Sequence, residues 1–205
     1  FMVGQKFGTS DAPSRTWAMN TLIPSLVAET FPESRLVAFS TGCVYPFVPV
    51  ESGGATEETP LLAPPGEYAW SCVGRERVVR YHSERHGTPG LLFRLNYAID
   101  LRYGVLHDIA KNILDDKPID VSMGHVNIIW QGDACARAIQ CLQHVANPPK
   151  VLNVTGPDRI ALRDETGAIR SLLDVSEIFS FDFSRNAAKW FGPDAETPEG
   201  FTNLD

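Results

Sequence analysis

Side chains able to do chemistry fall in three short segments. Phe39-Ser40-Thr41-Gly42-Cys43-Val44-Tyr45 carries an apolar run into hydroxyl residues. Glu57-Glu58-Thr59-Pro60 puts two carboxylates in a loop, and Tyr68-Ala69-Trp70-Ser71-Cys72 sets a phenol and a thiol one helical turn apart. In an open α/β sheet, ligands sit at the carboxyl ends of the strands. A hydroxyl at such an end, with a tyrosine on the next helix, faces that crevice. A free phenol has a pKa of ~10, so at neutral pH it is a poor base unless a nearby cation stabilises the phenolate. Each residue also has a plainer use. Tyr68 can pack on the sheet, Thr41 can be a satisfied strand-end hydroxyl, and Asn20 can bond backbone. Cys72 reads as a small buried thiol, since a reactive one needs a base or a cation beside it. Arg94, inside an apolar run, must be paired or reach the cleft.

The elements that would position these groups follow from periodicity. Arg35 to Ser40 and Gly90 to Asn96 are short, almost wholly apolar runs, as strands buried on both faces require. Glu67 to His86 is a helix, opened after Pro64-Pro65-Gly66 and stopped near Gly87-Thr88-Pro89. Trp17 to Phe31 has helical spacing with Pro24 inside it, which predicts a bend or a late start. Thr41 to Gly66 is a long excursion, and long loops in compact domains are usually functional. Further on, His107 to Asp115 and Gly132 to Val145 read as helices, and Ile119 to Val121, Val126 to Trp130 and Val151 to Val154 as strands. Strands alternating with helices indicate βαβ units and a parallel sheet. Phe1-Met2-Val3-Gly4 reads like the end of a buried strand, with more chain expected upstream.

Composition narrows the function classes. A formal charge of −7 repels phosphate backbones, so nucleic acid is a poor partner. No apolar run approaches the ~18 residues a membrane helix needs. Four scattered cysteines, Cys43, Cys72, Cys135 and Cys141, form no C-x-x-C pair and have no histidines at zinc-ligand spacing. They suggest reduced thiols in a cytoplasmic protein and no metal.

Taken in order, the motifs resemble those of the extended short-chain dehydrogenases, the NAD-dependent epimerase/dehydratase family. That family has a strand ending like S-S-x-x-V-Y-G, an acidic loop like T-E-x-T-P, and Y-x-x-x-K opening a helix. Here these correspond to Ser40-Thr41-Gly42-Cys43-Val44-Tyr45, Glu57-Glu58-Thr59-Pro60 and Tyr68-x-x-x-Cys72. Leu92 to Asn96 looks like the next strand, and Val126 to Asp133 like the strand and helix entry after it. Phe181-Asp182-Phe183-Ser184-Arg185 with Phe191-Gly192-Pro193 resembles the family's C-terminal element. Nothing matches the G-x-x-G-x-x-G phosphate loop, which the family's fold would put roughly seventy residues upstream.

The resemblance implies a Rossmann-like, doubly wound α/β fold whose N-terminal part is missing, with a small C-terminal substrate lobe. Residues 1–99 would belong to the cofactor domain. Residues 100–205 would be mainly the substrate lobe, with a return strand and helix to the sheet. It implies NAD or NADP as cofactor, a sugar-like small-molecule substrate, and a homodimer formed through the Tyr68 helix and its neighbour. Tyr68 would be the general acid/base and Thr41, with Ser40 beside it, the polarising hydroxyl. Asn20, Tyr68, Cys72, Asn96 and Tyr97 would line the cofactor. The family's lysine stands here as Cys72, which carries no cation. Arg75, one turn on, is the candidate substitute. The alternative is a weak or silent dinucleotide-binding relative.

Overall fold

The structure is a computed structural model and describes residues 1–100, 102–119, 124–157 and 159–161. The strand expected to reach Val121 lies partly outside these residues, and the motifs at 181–185 and 191–193 lie wholly outside them. The chain divides into two compact units: residues 1–105 with 127–156, and residues 106–126 with 157–205.

The first unit is built on a parallel sheet. β1 (Leu36–Thr41) pairs with β2 (Gly90–Leu95), and the register sets Thr41 beside Leu95. The N–H of Phe39 donates to the Phe1 carbonyl at 3.0 Å and the Phe1 amine donates to Val37 O at 2.6 Å, so the first residue continues the sheet alongside β1. On the other side, β2 pairs in parallel with β6 (Lys150–Val154). The apolar runs end up where double-sided burial was expected, with Leu92 and Phe93 at 1% and 0% exposure. Burying side chains of that size contributes roughly 1.5–3 kcal/mol each. A second, two-stranded parallel pair joins β3 (Ala98–Ile99) to β5 (Ile129–Trp130), which leads into α5 (Gln131–Gln140).

Two helical segments pack on each other, and the second lies against β1. The first is α1 (Pro13–Trp17), a π-helical turn (Ala18–Leu22) and α2 (Ile23–Thr30) in unbroken succession. The bend anticipated from Pro24 takes the form of that wider turn just before it. Pro24 has no N–H to offer the Asn20 carbonyl four residues back, and Arg75 Nε donates to that carbonyl at 3.0 Å instead. The second segment is α3 (Glu67–His86), with bounds as the sequence suggested. Glu67 lies in its first turn and Arg85 and His86 in its last, matching the helix dipole. Gly87, at φ 73°, ends it in the left-handed conformation that glycine adopts without penalty. Ala69, Cys72, Val73, Glu76 and Val79 form its buried face, and Val79 packs on Ala38 and Leu92.

In the second unit, β4 (His125–Val126) pairs antiparallel with β7 (Ile160–Ala161). The single strand expected over Val126 to Trp130 is thus two short ones with different partners. α4 (Val105–Leu114) spans the boundary in sequence between the two units.

Candidate functional site

The carboxyl end of β1 and the first turn of α3 bring Thr41, Tyr68 and Cys72 together. Tyr68 packs in one apolar cluster with Cys72, and Thr41 lies near enough to pull the phenol's pKa down. Thr41 Oγ1 accepts the Cys43 N–H at 3.2 Å, which closes a tight helical turn (Gly42–Val44) after the strand. Asn96, just past the end of β2, packs on that turn: a Cβ on Gly42 would meet its Oδ1 at 3.0 Å. Tyr97 is exposed and holds φ 45°, a strained value for a non-glycine residue of the kind that clusters at functional sites.

Electrostatics decide what the phenol can do. Burial, first, and the neighbouring Cys72 thiol, second, push the Tyr68 pKa well above the ordinary phenol value. Thr41 and Arg75 pull it back and lose. Burial likewise raises the Cys72 thiol to about 11. At neutral pH both groups keep their protons, so Tyr68 is a hydrogen-bond donor here and Cys72 is no nucleophile.

Several expected site residues are committed elsewhere. Ser40 is committed elsewhere than to Tyr68. Its hydroxyl donates to Glu76 Oε1 at 2.5 Å, toward α3. Asn20 is fully buried and internally satisfied. Its Oδ1 accepts from Gln5 N at 2.7 Å and Arg75 Nη2 at 2.9 Å, and its Nδ2 donates to Gln5 O and Ser71 Oγ, each at 2.9 Å. Asn20 is a structural knot with no atom left for a cofactor. Arg75 does not replace a lysine beside the phenol. Nη1 donates to Phe39 O at 2.7 Å and the rest of the fork to Asn20, so its donors are taken up away from the phenol, and its charge is the smallest of the influences on Tyr68. Cys72 is 1% exposed and offers no cation.

A buried polar relay beneath the site escaped the sequence reading. Glu76 receives Arg94 Nε at 2.9 Å and Nη2 at 2.7 Å, a two-pronged ion pair with both side chains 4% exposed. Arg94 Nη1 also donates to Tyr45 Oη, and the guanidinium lies 4.9 Å from the centre of the Tyr45 ring. Tyr45 donates onward to Asn153 Oδ1 at 2.7 Å. The requirement that Arg94 be paired or reach the cleft resolves as pairing. The signal for its partner was available: Glu76 is the one carboxylate on the helix face that carries Ala69, Cys72 and Val79.

For a dinucleotide, Tyr68, Asn96 and Tyr97 at the carboxyl ends of β1 and β2 could hold the nicotinamide end. Asn20 and Cys72 do not fit that role.

The parallel sheet and its flanking helices define a Rossmann-like α/β fold. Solved structures share it. The chain is similar to the UDP-glucuronic acid 4-epimerase from Bacillus cereus in complex with NAD, at TM-score 0.64 and 14% identity over 78% of this chain. It is similar to RMD from Pseudomonas aeruginosa complexed with NADPH, at 0.65 and 18% over 86%. It is also similar to a double mutant of DesIV, a dTDP-glucose 4,6-dehydratase from Streptomyces venezuelae with NAD and DAU bound, at 0.65 and 18% over 77%. The chain spans 53%, 63% and 51% of those proteins' lengths respectively. No known protein family and no curated protein matches the sequence.

Proposed function

We propose that this chain is part of a dinucleotide-binding protein of the epimerase/dehydratase type, in which Thr41 and Tyr68 hold the hydroxyl or carbonyl oxygen of a sugar-like substrate, nucleotide sugars included. The observation that carries the reading is the convergence of Tyr68 and Thr41 at the carboxyl end of β1. A bound NAD or NADP would supply hydride transfer. Tyr68 would donate its proton as a hydrogen bond to the substrate oxygen, and Thr41 would polarise the same oxygen. The solved structures of similar fold, crystallised with NAD or NADPH, support the choice of cofactor.

A second reading, a weak or silent dinucleotide-binding relative, is favoured by the thiol of Cys72 standing one turn past the phenol, where the family's lysine would be. With a neutral thiol there, Tyr68 resists acting as a base. The remaining assignments belong to the same proposal. A homodimer would form through α3 and the helical segment from Pro13 to Thr30, which expose Trp17, Leu22, Leu26, Trp70 and Tyr81. Residues 100–205 would supply the substrate lobe. The setting would be cytoplasmic, with all four thiols free. Among the described residues no helix is long and apolar enough to cross a membrane, and no cluster of side chains suits a metal.

The test is fluorescence titration of the intact protein with NADH and NADPH, followed by turnover against a panel of nucleoside-diphosphate sugars. Saturable binding of one coenzyme, with conversion of a sugar that Tyr68→Phe abolishes, is the expected result. Binding without turnover selects the second reading. Failure to bind either coenzyme sinks both.

A further inference from the structure

The 46–66 loop does not lie idle on the surface. Ala55, Leu61 and Ala63 pack into the same apolar cluster as Tyr68, Cys72, Val44 and Val73. What holds the loop there is polar, and it comes from the end of β6. The Asn153 N–H donates to Glu57 Oε1 at 2.7 Å, and Asn153 Nδ2 donates to Ala55 O at 3.4 Å. Asn153 is itself fixed from the inside, because its Oδ1 receives the Tyr45 hydroxyl, Tyr45 receives Arg94, and Arg94 is clamped on Glu76. Glu57 is exposed, whereas Arg94 and Glu76 are buried. The relay therefore runs from a rigid charge pair in the core to a single solvent-facing carboxylate on the loop.

We propose that Asn153 and Glu57 form a latch that holds the 46–66 loop against the Tyr68–Cys72 cluster, and that releasing it opens the cluster to solvent. The physical reason is an asymmetry of strength. The Arg94–Glu76 bonds are charge-assisted and shielded from water by burial, so they persist. The outer bond is exposed, so water competes for both partners, and it is the first to give way. The loop's own contribution to the cluster is small in area, chiefly Ala55, Leu61 and Ala63. Once the latch opens, little holds the loop in place. The latch governs access to the site proposed above, but its test reads a thiol and not turnover, so the two proposals fail separately.

Cys72, at 1% exposure, reports on the cluster, and Cys141, at 0%, reports on global unfolding. The full chain would be alkylated with iodoacetamide, and each cysteine's labelling rate followed by mass spectrometry in wild type, Glu57→Ala, Glu57→Gln and Asn153→Ala. In Glu57→Ala, Cys72 should label on the order of tenfold faster. Asn153→Ala keeps the backbone N–H that Glu57 accepts and loses only the side-chain bonds to Ala55 O and Tyr45, so its effect should be smaller. Glu57→Gln, which keeps an acceptor oxygen, should stay closer to wild type. Cys141 should remain protected throughout. The latch is overturned if Cys72 keeps its wild-type protection in Glu57→Ala. A parallel rise of Cys72 and Cys141 overturns it as well, since that is loss of the whole fold.

Discussion

At the scale of single residues, the site turns on what stands one turn past Tyr68. A lysine there would put a positive charge near the phenol; Cys72 puts a neutral thiol in an apolar cluster. Burial raises the phenol's pKa, and Cys72, once it has lost its own proton, raises it further, where a cation would lower it. Substituting Cys72→Lys therefore tests the chemistry directly. A unit charge at ~4 Å is worth about 4 kcal/mol at an effective dielectric of ~20, equivalent to roughly three pKa units. The expected outcome is a fall of about one to three units in the Tyr68 pKa. It is read from phenolate absorbance as the difference between Cys72→Lys and the same protein carrying Tyr68→Phe. The substitution should also destabilise the fold by about 1–3 kcal/mol, because a longer side chain enters a filled cluster. An unchanged phenolate titration in a folded variant would mean that the two side chains do not share a site. The sequence alone exposed this vacancy of charge. It did not reveal that Arg75 cannot fill it, because that depends on two carbonyls, Asn20 O and Phe39 O, that only the fold brings to its fork.

At the scale of elements, the close approach of α3 to the π-helical turn fixes where Tyr68 and Asn20 stand. Thr21 Oγ1 donates to Ser71 O at 2.9 Å, and the two backbones come so near that a Cβ on Gly74 would meet Thr21 Oγ1 at 2.8 Å and Trp17 Cζ3 at 3.1 Å. Helix propensity alone says that Gly74→Ala should stabilise by about 1 kcal/mol. Packing says the opposite, because Thr21 is short, β-branched and tied to Ser71, so it cannot swing aside. Overpacking of this kind typically costs 1–3 kcal/mol. The two effects are opposed, and the larger should win: Gly74→Ala should lower the urea-unfolding stability by up to about 2 kcal/mol. A stabilised variant would show that the two segments can part without cost. The helix itself was legible, since its proline-glycine entry and its glycine exit are local signals. The π-helical turn was not. Pro24 announced a disturbance, but its form depended on Arg75 being available to take the Asn20 carbonyl.

At the scale of the whole molecule, what could be read in advance was whatever local pattern dictates. The doubly buried strands β1 and β2 announced themselves by apolar content, and their parallel pairing by the helix between them. Thr41 and Tyr68 could be paired because each sits at the end of a strongly patterned element. The relay from Glu76 through Arg94 and Tyr45 to Asn153 could not. Its members are scattered over four elements, and each has an ordinary local role until the sheet register sets Arg94 beside Asn153. That same burial of titratable groups gives the fold a shared sensitivity to base. Burial raises Cys72 and Cys141 from an ordinary 9.0 to about 11, and raises Tyr68 and Tyr45 above their ordinary 10.0. Between the ordinary and the raised value the unfolded chain gives up a proton that the folded chain keeps. Rising pH therefore favours unfolding. The contribution of each thiol is fully present below about pH 9 and is lost as the pH climbs through about 11. At 1.36 kcal/mol per pKa unit, each thiol accounts for on the order of 2–3 kcal/mol. The urea midpoint should fall steeply between pH 8.5 and pH 11, and the fall should be shallower in a Cys72→Ala, Cys141→Ala double variant. If the double variant loses stability as steeply as wild type, the buried thiols are not what makes the fold base-sensitive.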